Sequence, residues 1–152
     1  FQYAGKAIGS IGDALTKILQ LEGGAAVTVD TGGLTKYGIS KRANPDVDVA
    51  NLTEAQARDI YMKRYVAPLG LQNFPAGVAF IALDAAVNQG VGFAKNLLQK
   101  AGNNPSAMIE LRKQHYQSLV QKNPGKYGRY FKGWMNRLQK VAAYAGSAVG
   151  IG

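Results

Sequence analysis

The sequence predicts a mainly α domain with one small, irregular β-hairpin near its start. Three observations carry that prediction. Apolar residues recur at helical spacing through most of the chain, and the helical stretches are punctuated by capping residues and by Gly-Gly or Asn-Pro stops. Only the stretch AAVTVDTGGLTKYGIS, residues 25–40, has the Val/Thr/Gly composition of short strands. With 152 residues, 47% of them apolar, the chain is long enough for one core and too short for two independent ones.

The first helix is read from Asp13 in DALTKILQLEGG: Asp13 as N-cap acid, Leu15, Ile18 and Leu19 on one face, and Gly23-Gly24 as the stop. Glu22 then falls in its last turn. In the hairpin that follows, Gly32 and Gly33 separate two apolar stretches. NLTEAQARDIYMKRY carries a capping box, Thr53 with Gln56, and an apolar stripe through Ala57, Ile60 and Tyr61. GVAFIALDAAVNQG is apolar almost all round, broken by Asp84 and Asn88, which marks a central buried helix. FAKNLLQKAG reads as a further helix stopped by Gly102, and Pro105 after Asn104 opens another. Asn123-Pro124 divides that helix from a last basic, aromatic one, KYGRYFKGWMNRLQKVAAYA, and the Gly/Ala-rich ends are expected to fray.

Composition excludes several chemistries. The absence of cysteine removes disulfides, thiol nucleophiles and thiolate metal sites. A single histidine, His115, leaves no imidazole set for a zinc hydrolase, so no metal and no cofactor are expected. His115 lies in the helical stretch IELRKQHYQSLVQ and reads as an ordinary surface or half-buried residue. No window approaches the run of roughly 18 apolar residues that a membrane span requires. The formal net charge of +9 calls for an anionic partner or surface. Its asymmetry is pronounced: after Glu110 come Arg112, Lys113, Lys122, Lys126, Arg129, Lys132, Arg137 and Lys140 with no acid among them. Nucleic acid, anionic lipid and anionic wall polymer all fit such a face.

The acids are scarce, and two of them flank the glycine-punctuated segment. Glycosidases use one carboxylic acid to protonate the leaving oxygen and a second polar group on the other side of the sugar. Glu22 suits the first role: it stands at the negative end of its helix dipole among Leu21, Ala25 and Ala26, and both influences favour the protonated acid. Asp30, on the folded-back hairpin, faces Glu22 across a cleft in this reading, and the Thr35 hydroxyl helps it hold a water. Spacing alone leaves the plainer alternative open, in which Glu22 is a solvated cap and Asp30 a turn residue.

The motif Glu22-Gly23-Gly24, followed by Asp30-x-Gly32-Gly33-x-Thr35-x-x-Gly38-Ile39-Ser40, resembles the signature of the N-acetylmuramidases of glycoside hydrolase family 108, found in phage endolysins and bacterial secretion activators. It is also similar to the Glu, Asp, Thr triad of phage-type lysozymes. LDAAVNQGVGFAKNLLQ, residues 83–99, resembles the start of the peptidoglycan-binding half of that family, and Phe131-Lys132-Gly133-Trp134-x-Asn136-Arg137 resembles its terminal helix motif. The resemblance implies a mainly helical, lysozyme-like fold and hydrolysis of the β-1,4 bond between N-acetylmuramic acid and N-acetylglucosamine in peptidoglycan. It makes Glu22 the catalytic glutamate, with Asp30 and Thr35 as its partners. The expected organisation is one domain over 1–152, with a catalytic lobe over about 13–70 and a helical lobe over about 76–145. The start at Phe1 in place of Met, beside a Gly/Ala-rich beginning, leads to the expectation of a muralytic domain from a larger phage virion protein. As a domain it is expected to be monomeric and to act in the virion or in the host periplasm and wall.

On this reading Glu22 protonates the glycosidic oxygen while Asp30 and Thr35 position a water, an inverting arrangement. Carboxyl groups about 5 Å apart would instead indicate a nucleophile. A remote Asp30 would favour a lytic transglycosylase, in which the sugar's own 6-hydroxyl attacks. Tyr37 and Asn88 are candidates for lining sugar subsites, against packing at a strand edge for the tyrosine. Trp134 is read as a core anchor before a sugar platform, and Arg137 as the partner of a buried acid such as Asp84. Two alternatives of another class stand beside the enzyme: a basic nucleic-acid-binding domain, suggested by KYGRYFKGW, and a wall-binding domain without activity.

Overall fold

The computed structural model describes residues 10–30 and 33–146. Gly32 of the hairpin and both chain ends, where fraying is expected, lie outside the described residues. The first helix, α1 (Ile11–Leu21), starts earlier than Asp13: the cap is Ser10, whose hydroxyl accepts the Asp13 N–H at 3.1 Å. Asp13 sits instead in the first turn, where its charge favours the helix N-terminus. Ala14, Leu15, Ile18 and Leu19 are buried on one face, as their spacing demands.

The end of α1 determines where Glu22 points. Gly24 N–H reaches back to Leu19 O at 2.9 Å and Gly23 N–H to Gln20 O at 3.2 Å, the paired bonds of a Schellman stop. That motif needs a left-handed residue after the cap, and Gly23 supplies it with φ +91. Glu22 is therefore the C-cap itself.

The chain then forms a three-stranded antiparallel sheet of β1 (Thr28–Asp30), β2 (Gly33–Lys36) and β3 (Ile39–Ser40), in sequence order. Asp30 pairs with Gly33, and Thr35 pairs with Thr28 on one side and Ser40 on the other. The hairpin forms over the residues predicted, and β3 is an addition to it. Its two residues are too few to give a period-2 signal, and they pair because Tyr37 and Gly38 turn the chain sharply.

Helix α2 (Glu54–Tyr61) begins with the expected reciprocal box: Thr53 Oγ1 accepts from Gln56 N–H, and Gln56 Oε1 accepts from Thr53 N–H. Arg58 ties it to α1 by donating to Thr16 Oγ1 and Gly12 O, each at 3.0 Å. It continues through one wide π turn, Met62–Val66, into α3 (Ala67–Leu69) and stops at left-handed Gly70. Helix α4 (Ala76–Gln89) is the centre of the molecule, buried from Val78 to Ala86 and packed against α1, α5 (Val91–Ala101), α6 (Pro105–Lys122) and α8 (Phe131–Tyr144). A nearly all-round apolar sequence reads as this placement, since the helix is covered on all faces from Val78 to Ala86.

The last basic stretch is not one helix. It begins with α7 (Pro124–Tyr127), passes through a 3-10 turn, Gly128–Tyr130, and then becomes α8. Gly125 and Gly128 weaken the first turns, and the break lets Tyr127 and Tyr130 close around Trp134 at 6.1 and 5.8 Å between ring centroids. Trp134 is half-buried and stacks on Tyr116 at 4.5 Å, the packing role read for it from the sequence. His115 is likewise half-buried, against Phe93 at 4.6 Å.

Candidate active site

Glu22 leaves the end of α1 with its side chain 17% exposed, and its Oε2 lies 2.7 Å from Arg137 Nη2. The guanidinium comes from α8, more than a hundred residues away in sequence. Its Nη1 also donates to Leu21 O at 3.4 Å, one of the carbonyls the helix end leaves over. Arg137 is shared: its Nε and Nη2 donate to Asp84 Oδ1 at 3.0 and 2.6 Å. This is the Arg137–Asp84 pairing anticipated from the sequence, with Glu22 as an unanticipated third member.

Behind Asp84 stands a second cation. Arg112 Nη2 is 2.9 Å from Asp84 Oδ2, a charge contact angled outside hydrogen-bond geometry, and both side chains are fully buried. Arg112 Nε donates to Gln89 Oε1 at 2.6 Å. One wholly buried carboxylate thus lies between two guanidiniums, and one of these carries the contact to Glu22. Burial opposes the charge on Arg137, but Asp84 and then Glu22 outweigh it and hold the guanidinium above its usual range.

Glu22 is confined on its other side by the turn between β2 and β3. Gly38, with φ +78, packs so closely that a Cβ there would lie 2.8 Å from Glu22 Cγ and 2.5 Å from the Tyr61 hydroxyl. Tyr37 N–H donates to Gly24 O at 3.1 Å, which fastens the sheet to the helix end that bears Glu22.

The five site residues read from the sequence are distributed as follows. Glu22 caps α1, Asp30 ends β1, and Thr35 lies in the central strand at partial exposure. Tyr37 occupies the turn with φ 54 and packs partly on the core, so the edge-packing alternative describes part of its surroundings. Asn88 is exposed at the end of α4, where its Nδ2 donates to Asp84 O at 2.9 Å and Oδ1 at 3.3 Å. It is therefore bonded into the same charge network. Sequence reasoning missed the Arg137–Glu22 contact, Arg112 and Tyr61. Arg112 had one signal, a cation one turn before the buried Tyr116 at the contact of α6 with α4.

A cavity of about 660 Å³ opens between the 46–52 segment and α2, but it contains none of these five residues. Four of its charges are paired, Asp59 with Lys63 at 2.9 Å and Asp46 with Arg64 at 2.6 Å, and Asp48 accepts from Asn51 Nδ2 at 2.9 Å. The Arg64 bond holds the Asp46 carboxyl below its ordinary range. Among the described residues no cluster of three or more His, Cys, Asp or Glu side chains suits a metal ion, and no helix is long and apolar enough to cross a membrane.

The family model for glycosyl hydrolase 108 matches residues 15–90, which include the α1 end, the sheet, α2 and α4. The solved structure of Brucella abortus SagA superposes with a TM-score of 0.70 at 26% sequence identity, over 88% of this chain and 92% of that one. No curated protein matches the chain. A helical fold of this likeness, together with a family match over half the chain, establishes that the protein belongs to the glycosyl hydrolase 108 family: it is a glycoside hydrolase, and the substrate class that family implies is peptidoglycan.

Proposed function

We propose that this glycoside hydrolase is an N-acetylmuramidase and that Glu22 is its general acid. The observation that carries the proposal is the confinement of the Glu22 side chain: a Schellman stop fixes its backbone, Gly38 packs against its stem, and Arg137 holds Oε2. Preorganisation of this kind is what positioned proton transfer requires. Oε1 gives the proton to the glycosidic oxygen as the bond from C1 of N-acetylmuramic acid breaks. A water held by Asp30 and Thr35 attacks C1 from the opposite face and loses its proton to Asp30, with inversion. Tyr37 and Asn88 are assigned to sugar subsites. In this reading residues 13–70 form the catalytic lobe, and residues 76–145 form a helical lobe that contributes Arg137. The resemblance to phage endolysins supports a phage-encoded, monomeric domain acting locally on the host wall, which mass spectrometry of purified particles tests.

The deciding experiment is digestion of purified sacculi by the parent and by Glu22→Gln, with the muropeptides analysed by mass. N-acetylmuramic acid reducing ends from the parent and loss of release in the variant support the proposal. Anhydro-muropeptides, one water lighter, replace it by a lytic transglycosylase reaction. Release unaffected by the substitution removes Glu22 from the mechanism.

A further inference from the structure

The turn behind Glu22 is held in an unusual way. Tyr37 is a non-glycine residue in the left-handed region, φ 54, a conformation that persists only when surrounding contacts impose it. Two bonds do so. Its N–H is tied to Gly24 O at 3.1 Å, and its carbonyl accepts the Tyr61 hydroxyl at 2.6 Å. Tyr61 comes from α2 and is fully buried, so it touches no sugar. Burial and then the charge of Glu22 push its phenol well above the usual range, which keeps the hydroxyl a donor at any working pH. A Cβ at Gly38 would meet Tyr61 Oη at 2.5 Å and Glu22 Cγ and Cβ at 2.8 and 2.9 Å, so the phenol, the turn and the acid's stem meet at one point.

We propose that Tyr61 is a positioning residue for glycosidic cleavage: by holding the Tyr37 carbonyl it keeps the Gly38 backbone against the stem of Glu22 and fixes the direction of the carboxyl group. The proposal rests on the reading of Glu22 as the general acid. It assigns to α2 a part in the reaction that neither the sequence motifs nor the family match specifies. Tyr61→Phe keeps the ring and removes only the bond. A displacement of an ångström or less at the acid lowers turnover on the order of 10- to 100-fold without altering the subsites.

The experiment measures initial rates against sacculus concentration for the parent, Tyr61→Phe, Glu22→Gln, the double variant, and Ile109→Val as a core variant on α6. Thermal unfolding of each is recorded alongside. Expected is a fall in kcat of at least tenfold for Tyr61→Phe with KM within twofold. Ile109→Val should keep the parent kcat, and in the Glu22→Gln background Tyr61→Phe should change nothing further. Parent-like kcat in Tyr61→Phe, or a loss explained by KM, overturns the role of Tyr61 while leaving Glu22 in place. So does a further drop in the double variant. Full activity in Glu22→Gln overturns the reading on which the proposal rests.

Discussion

Replacing Asp84 by asparagine tests the charge network at its centre. The carboxylate is fully buried and faces Arg137 at 2.6 Å and Arg112 at 2.9 Å. Each contact represents roughly 6 kcal/mol of attraction at an effective dielectric of about 20. Desolvation of the three charges offsets much of this, so the network's net contribution to stability is small. Removing one partner is different, because Arg112 is 0% exposed and cannot carry its charge to water. Stranding a buried ion costs about 3–5 kcal/mol, which lowers Tm by roughly 6–20 °C in a domain of this length. Asparagine keeps the shape and an acceptor, so the loss reports charge and not a cavity. Thermal unfolding followed by far-ultraviolet circular dichroism gives the number. The companion is Asp84→Asn with Arg112→Met, which also removes the stranded cation and should recover at least half of the lost Tm. A single variant within 2 °C of the parent, or a double variant no better than the single, would refute the assignment of Asp84 as counter-ion to both arginines.

Gly38→Ala forces a Cβ into contacts of 2.5–2.9 Å in a left-handed conformation, and is expected to destabilise by about 1–3 kcal/mol and to abolish most muropeptide release; activity assay and unfolding together check it. Thr53→Ala removes one half of the capping box at the start of α2 and should cost about 1 kcal/mol, or roughly 2–4 °C in Tm, with hydrolysis rates unchanged. Burial first, and then Lys122, hold His115 below its ordinary value of 6.5. The unfolded chain therefore takes up the proton first as pH falls. Stability contributed by neutral His115 is present above 6.5 and declines as pH drops toward the lower folded value. His115→Gln should flatten that part of the Tm-against-pH curve, and identical curves for the two proteins would refute it.

Local signals made most of the helices legible. The capping box at Thr53, the all-round apolar run of α4 and the Gly23-Gly24 stop each act within a few residues, and each is where the sequence places it. Ser10 was less legible than Asp13 because both are good caps and only the emerging backbone decides between them. The charge of the second half misleads when read as composition. Arg112 and Arg137 belong to the series that suggests a basic surface, yet one is fully buried and the other is engaged by Asp84 and Glu22. An arginine engaged by a partner 28 or 53 positions away carries no local mark. Tyr61 is similar: its helical stripe reveals that it points inward, but its bond to a carbonyl 24 residues earlier depends on a turn conformation that tyrosine rarely adopts.

The matched segment, residues 15–90, contains Glu22, Gly38, Tyr61 and Asp84, but the charges that complete their environment lie beyond it. Asp84 stands in the centre of a helix buried from Val78 to Ala86, where an isolated carboxylate is not tolerated. Its two counter-ions come from α6 and α8, and the one from α8 goes on to hold Glu22. Packing of α4 against α6 and α8 is thus coupled to the position of the Glu22 side chain by a single buried carboxylate. The sheet and α2 constrain Glu22 from the opposite side through Gly38 and the Tyr61 hydroxyl. Replacement of Arg112, which lies on α6, therefore acts on Glu22 through Asp84 and Arg137, as replacement of Gly38 acts on it from the turn.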